Sequence, residues 1–133
     1  MSEPLLKKVD PTTGSRVSGR LLVGTFDEGH AEEAYYSDFA PYTDIFTAQP
    51  GERVLFIAEV YVPPAARGRK LGLRLLNELS REQDADRDIL VAQEFETPVP
   101  WVHPAKLELY YMSAGFRRIG LTLERCPLMH RVH

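Results

Sequence analysis

At 133 residues the chain has the length of one domain with a single real core. Its 44% hydrophobic and 26% charged residues are ordinary for a soluble globular protein, and no apolar run approaches the roughly 18 residues of a membrane span. A net charge of −3 argues against general polyanion binding, so neither a nucleic-acid nor a membrane partner is expected.

The N-terminus, Met1 to Asp10, carries Lys7 and Lys8 without a following apolar core, so it does not read as a secretory signal. Residues 1–16 read as irregular, with a turn at Pro11-Thr12-Thr13-Gly14. Arg16 to Phe26 is a strand candidate. The acidic, alanine-containing segment Asp27 to Ala40 is a short-helix candidate, and Tyr42 to Ala48 another strand. Gln49-Pro50-Gly51-Glu52 signals a turn before the strong strand Arg53 to Val62, and these two runs read as a hairpin.

From Ala66 to Gln83 the apolar period lengthens to that of a helix. Leu71, Leu75, Leu76 and Leu79 share one face, and Arg74, Asn77, Glu78 and Arg81 the other. A short apolar strand spans Asp88 to Gln93, and a proline-rich loop containing Trp101 and His103 spans Phe95 to Pro104. A second helix covers Ala105 to Ala114 and stops at Gly115. Phe116 to Arg125 and Leu128 to His133 read as an antiparallel pair. The predicted fold class is α/β (α+β): a mixed, mostly antiparallel sheet flanked by helices, in a single domain over residues 1–133.

The most informative run is Ala58 to Gly72: a buried strand, a Pro63-Pro64 break, a basic turn Arg67-Gly68-Arg69-Lys70, and a helix start. Unpaired N–H groups at a helix N-terminus suit a phosphate or pyrophosphate, and guanidinium forks add to that. The bland alternative is a solvated basic helix start.

Three elements of this sequence, in order, resemble the GNAT superfamily of acyl-CoA-dependent N-acetyltransferases. They are the strand ending Glu59-Val60-Tyr61-Val62-Pro63-Pro64, the turn Arg67-Gly68-Arg69-Lys70-Leu71-Gly72, and Leu109-Tyr110-Tyr111-Met112-Ser113-Ala114-Gly115-Phe116. The resemblance covers residues 53–116, about half the chain. Lys70 stands where the family's turn has its first glycine, Pro104 where an asparagine is common, and the first 50 residues are short for the family's leading part.

The resemblance implies an enzyme that transfers an acetyl group from acetyl-CoA to an amine by direct attack in a ternary complex, without a metal. The N–H groups of residues 68–73, with Arg67, Gly68, Arg69, Lys70, Leu71, Gly72 and Leu73, would hold the CoA pyrophosphate. The strand edge at Val60, Tyr61 and Val62 would pair with the pantetheine arm, and a backbone N–H there would polarise the thioester carbonyl. Glu59 would take the acceptor's proton, since a free alkylammonium has a pKa of roughly 10.4. Tyr111, four residues before Gly115, would serve the leaving thiolate. The alternatives are a structural Glu59 paired with an arginine, and a Tyr111 that is a core aromatic. His30, His130 and His133 lack metal-ligand spacing with Cys126, and no context supports a covalent nucleophile.

The resemblance implies a small-molecule or peptide amine as acceptor. The single cysteine agrees with a cytoplasmic setting, and the exposed sheet edges of such a fold are where a homodimer would form. A second reading is a non-catalytic module that binds acyl-CoA or a partner protein on the same fold.

Overall fold

The computed structural model describes residues 5–22, 51–92, 104–121 and 125–133. Its strands are β1 (Leu6–Val9), β2 (Arg16–Leu22), β3 (Val54–Tyr61), β4 (Arg87–Val91), β5 (Arg117–Leu121) and β6 (Pro127–Val132). Helix α1 spans Leu71–Glu82 and α2 spans Pro104–Met112, with a short 3-10 turn at Pro64–Ala66. Among the described residues the strands form one sheet in the order β1-β2-β3-β4-β6-β5. Every pair is antiparallel except β3 with β4. The mixed, mostly antiparallel sheet expected from the sequence is the one observed.

Both helices lie on one face of the sheet. Leu71, Leu75, Leu76 and Leu79 of α1 are buried as their spacing predicts, and Leu73 joins them. Leu73, Leu75, Leu76 and Leu79 pack on Val17, Leu55, Ile57, Leu90 and Met129 of the strands, with Tyr111 and Phe116 closing the cluster. Burying each such side chain stabilises the fold by roughly 1.5–3 kcal/mol. The alternate strand residues Leu22, Val54, Phe56, Ile89 and Leu128 are buried on the opposite face.

Two expectations change. Residues 1–16 are not wholly irregular: β1 pairs with β2, Leu6 opposite Gly19 and Lys8 opposite Val17. Lys8 holds its charge against Glu82 and Glu78 of α1, so a charged residue stands where the strand faces a helix. The helix expected from Ala66 starts at Leu71, because the Pro64–Ala66 turn and the basic loop come first. Strand β3 pairs antiparallel with β2, and the hairpin expected between residues 42–48 and 53–62 rests on residues outside those described. The candidate elements at 27–40 and 42–48 lie outside the described residues, as do Trp101 and His103.

Strand β3 carries a bulge. Glu59 lies opposite Ser18 and Ile57 opposite Gly19, which leaves Ala58 as the extra residue. Opposite it only glycine fits, since a Cβ on Gly19 would stand 2.4 Å from the Phe56 carbonyl oxygen. Strand β3 also parts from β4. The parallel register runs only from Val54 opposite Arg87 to Phe56 opposite Ile89, while β3 itself continues to Tyr61.

Candidate functional site

The parting of β3 from β4 leaves one edge of Ile57–Tyr61 without a strand neighbour among the described residues. Strand pairing ordinarily consumes such backbone groups, so an open edge can bind an extended ligand. The first turn of α1 lies against the end of this edge. A Cβ on Gly72 would stand 2.8 Å from Val60 Cγ1, 3.2 Å from Val62 Cγ2 and 3.3 Å from the Tyr110 hydroxyl. Glycine at 72 is therefore what lets the helix start this close to the strand.

The first backbone bond of α1 runs from Arg74 N–H to the Lys70 carbonyl at 3.0 Å. The N–H groups of Leu71 and Gly72 thus have no partner within the helix, and that of Leu73 donates to the Tyr110 hydroxyl at 3.3 Å. Lys70 is the N-cap residue, with φ 55° and ψ 32°, in the left-handed region. Position 70 thus has a backbone conformation that glycine takes at no steric cost, and carries a lysine side chain in it. Gly68, with φ 90°, precedes it in the same turn.

The four basic residues around the turn divide into two pairs. Arg67 donates Nε to the Val62 carbonyl at 3.0 Å and so ties the turn to the end of β3. Arg74 is held by Asp10 at 3.2 Å and lies 3.9 Å from Glu78. Arg69 and Lys70 are exposed, and their side chains have no ion pair among the described residues. Among the described residues, the exposed cations beside the helix start that have no ion pair are therefore these two.

Glu59 and Tyr61 emerge on the sheet face opposite the helices, while Val60 packs towards α1. The Glu59 carboxylate accepts Arg16 Nε at 2.7 Å and Arg16 Nη2 at 3.3 Å. The Arg16 guanidinium lies 4.4 Å from the centroid of the Tyr61 ring. Glu59 is thus paired with an arginine and also partly accessible, its side chain being 34% exposed.

Tyr111 is buried among the core residues, with its ring 5.8 Å from Phe116 and 5.3 Å from Tyr110, edge-on in both cases. Tyr110, its neighbour in the chain, brings its hydroxyl to the start of α1. Burial raises its phenol above the usual range, against a smaller opposing pull from the Leu73 N–H, so it keeps its proton at neutral pH. The adjacent tyrosines project about 100° apart around the helix, so a motif alone does not say which one faces the strand opening. Among the described residues no group of three or more His, Cys, Asp or Glu side chains could hold a metal ion. No described helix is long and apolar enough to cross a membrane.

The fold as a whole resembles that of solved structures. Arabidopsis thaliana NAA60 in complex with acetyl-CoA matches with a TM-score of 0.53 at 14% identity, covering 90% of this chain and 65% of that one. The chain has a GNAT-like fold. The same plant protein in complex with a bisubstrate analogue matches this GNAT-like chain with a TM-score of 0.50 at 14% identity, over 90% and 63% of the two chains. The PaiA N-acetyltransferase of Thermoplasma acidophilum, in complex with coenzyme A, matches with a TM-score of 0.47 at 13% identity, over 90% and 53%. The chain thus spans just under two thirds of the length of NAA60. No protein-family model and no curated protein matches the sequence.

Proposed function

We propose that this protein is an N-acetyltransferase that moves the acetyl group of acetyl-CoA directly to an amine. The observation that carries the reading is the parting of β3 from β4 beside the α1 N-terminus, whose exposed Arg69 and Lys70 have no ion pair among the described residues. Arabidopsis NAA60, which has this fold, is solved with acetyl-CoA and with a bisubstrate analogue.

In this reading the diphosphate of CoA sits on the N–H groups of the 68–73 turn, with Arg69 and Lys70 supplying charge. Arg67 and Arg74 shape the turn instead of touching the phosphates. The pantetheine arm runs along Val60, Tyr61 and Val62 as an added strand. A backbone N–H of that edge polarises the thioester carbonyl as the amine attacks. Glu59 accepts the ammonium proton, directly or through water. The thiolate is protonated from the α2 side, where Tyr111 was the sequence candidate and Tyr110 offers the hydroxyl at the opening. Alignment of two bound substrates is the main contribution, worth up to roughly 7–11 kcal/mol of barrier in favourable cases. The single cysteine suits a cytoplasmic reaction.

The test is calorimetric titration with acetyl-CoA, followed by thiol release with spermidine, lysine, tobramycin and a short peptide bearing a free α-amino group. Micromolar binding that is lost in Arg69→Ala/Lys70→Ala, with thiol release on at least one amine, is the expected result. Binding without any release would leave an acyl-CoA-binding module, and no binding to folded protein would end the reading.

A further inference from the structure

Arg16 opens β2 opposite Tyr61 of β3, on the sheet face away from both helices. Because Ala58 is the extra residue of the bulge, Glu59 and Tyr61 come to that same face while Val60 still points to the core. The result is a three-layer contact across two strands. The Tyr61 ring supports the guanidinium at 4.4 Å, and the guanidinium grips both carboxylate oxygens of Glu59, at 2.7 and 3.3 Å.

We propose that Arg16 is a positioning residue for acetyl transfer, acting through Glu59. The inference rests on the reading of Glu59 as proton acceptor. An ionised carboxylate offers about four lone-pair sites, and a side-on arginine fork occupies one on each oxygen. The grip fixes the carboxylate plane and leaves the remaining lone pairs on its open side. Glutamate otherwise has three rotatable bonds, and proton transfer requires hydrogen-bond geometry at the moment of attack. Arginine suits this work because it stays charged at any working pH and cannot itself take the proton.

The step balances as follows. The acceptor ammonium gives one proton to Glu59, and its freed nitrogen lone pair forms the N–C bond at the thioester carbonyl. The C–S bond then breaks, and the thiolate leaves with its electron pair. The second proton lost by the nitrogen balances the one taken up by the thiolate, which leaves a neutral amide and the free thiol, with the first proton passing from Glu59 to solvent. Arg16 forms and breaks no bond; it holds the group that receives the first proton.

A mutant cycle decides it, using the amine of the panel above that gives the fastest thiol release. Wild type, Arg16→Gln, Glu59→Gln and the double variant are compared for kcat, acceptor KM and acetyl-CoA affinity. Arg16→Gln is expected to lower kcat about tenfold, a part of the 100-fold or greater share that a general base contributes. Acetyl-CoA affinity stays at the wild-type value, and Arg16→Gln costs nothing further once Glu59 is glutamine. An equal loss in both backgrounds means that Arg16 acts independently of Glu59, which overturns the inference and spares the base. No loss in Arg16→Gln overturns it as well. No loss in Glu59→Gln removes the base and the inference together, and a panel without any thiol release removes the enzymatic reading along with both. Should Arg16→Gln fold poorly, Arg16→Lys carries the same cycle, since it keeps the charge and loses the two-point grip.

Discussion

At the scale of single residues, Lys70 sets backbone comfort against charge. A non-glycine residue in the left-handed region costs roughly 1–2 kcal/mol, of which glycine's greater chain entropy takes back about 0.5–1 kcal/mol. Lys70→Gly should therefore stabilise the fold by about 0.5–1 kcal/mol, seen as a higher denaturation midpoint, while weakening acetyl-CoA binding several-fold through the lost cation. A gain in both quantities would show that the ammonium has no part in binding. The sequence revealed that position 70 departs from glycine but not its φ of 55°, since side-chain identity alone does not report a dihedral. The two tyrosines teach the same lesson. Spacing from Gly115 selected Tyr111, and packing sends that ring into the core and the Tyr110 hydroxyl to the helix start.

Among the elements, α1 was the most legible, because four leucines at helical spacing leave little freedom in how it packs. Strand β1 was hidden, because the alternation of Leu6 is broken by Lys8, whose ammonium reaches Glu78 and Glu82 over the helix. The attachment of β6 could not be read either, since it depends on partners far apart in the chain. The fully buried Asp88 of β4 accepts Ser80 Oγ at 2.7 Å and Arg131 Nη2 at 2.8 Å, and its Oδ2 lies 2.7 Å from His133 Nε2. Arg131 also reaches Asn77 at 2.7 Å and the Ala114 carbonyl at 3.1 Å, with its guanidinium over Phe116. One carboxylate thus joins α1, β4 and β6. Asp88→Ala leaves a largely buried guanidinium without its counter-charge and should cost about 3–5 kcal/mol in chemical denaturation. A loss below about 1 kcal/mol, the level of a surface ion pair, would contradict that account.

For the whole molecule, the sheet order explains what a linear reading reaches and what it misses. Strand and helix types follow from local pattern, whereas the placement of β4 between β3 and β6 depends on contacts across the chain. Acid tolerance is also a property of the assembled sheet. His130 of β6 lies opposite Ile89, its Nδ1 is buried without a hydrogen-bond partner among the described residues, and its pKa is lowered, first by burial and then by Arg87, with Glu52 opposing. The unfolded chain, with an ordinary value near 6.5, therefore binds a proton more readily than the fold does. The stabilisation is complete above about pH 6.5 and is lost as pH falls through the folded value. Urea midpoints should decline from pH 6.5 to 5 more steeply in the wild type than in His130→Gln. Parallel declines would show that the imidazole titrates alike in both states.

The extra residue at Ala58 divides β3 into two phases of one alternating text. Before it, odd-numbered residues such as Leu55 and Ile57 face the helices; after it, even-numbered Val60 does. The bulge acts as a frameshift in space. Were Ile57 to Tyr61 held in unbroken alternation, every residue would be chemically intact, yet the Glu59 carboxylate would turn towards the leucines of α1 and Val60 out beside Arg16. Deleting Ala58 instead closes the bulge and keeps Glu59 opposite Ser18 and Val60 opposite Val17. The identity of the working face is thus written in the count of residues as much as in their kind.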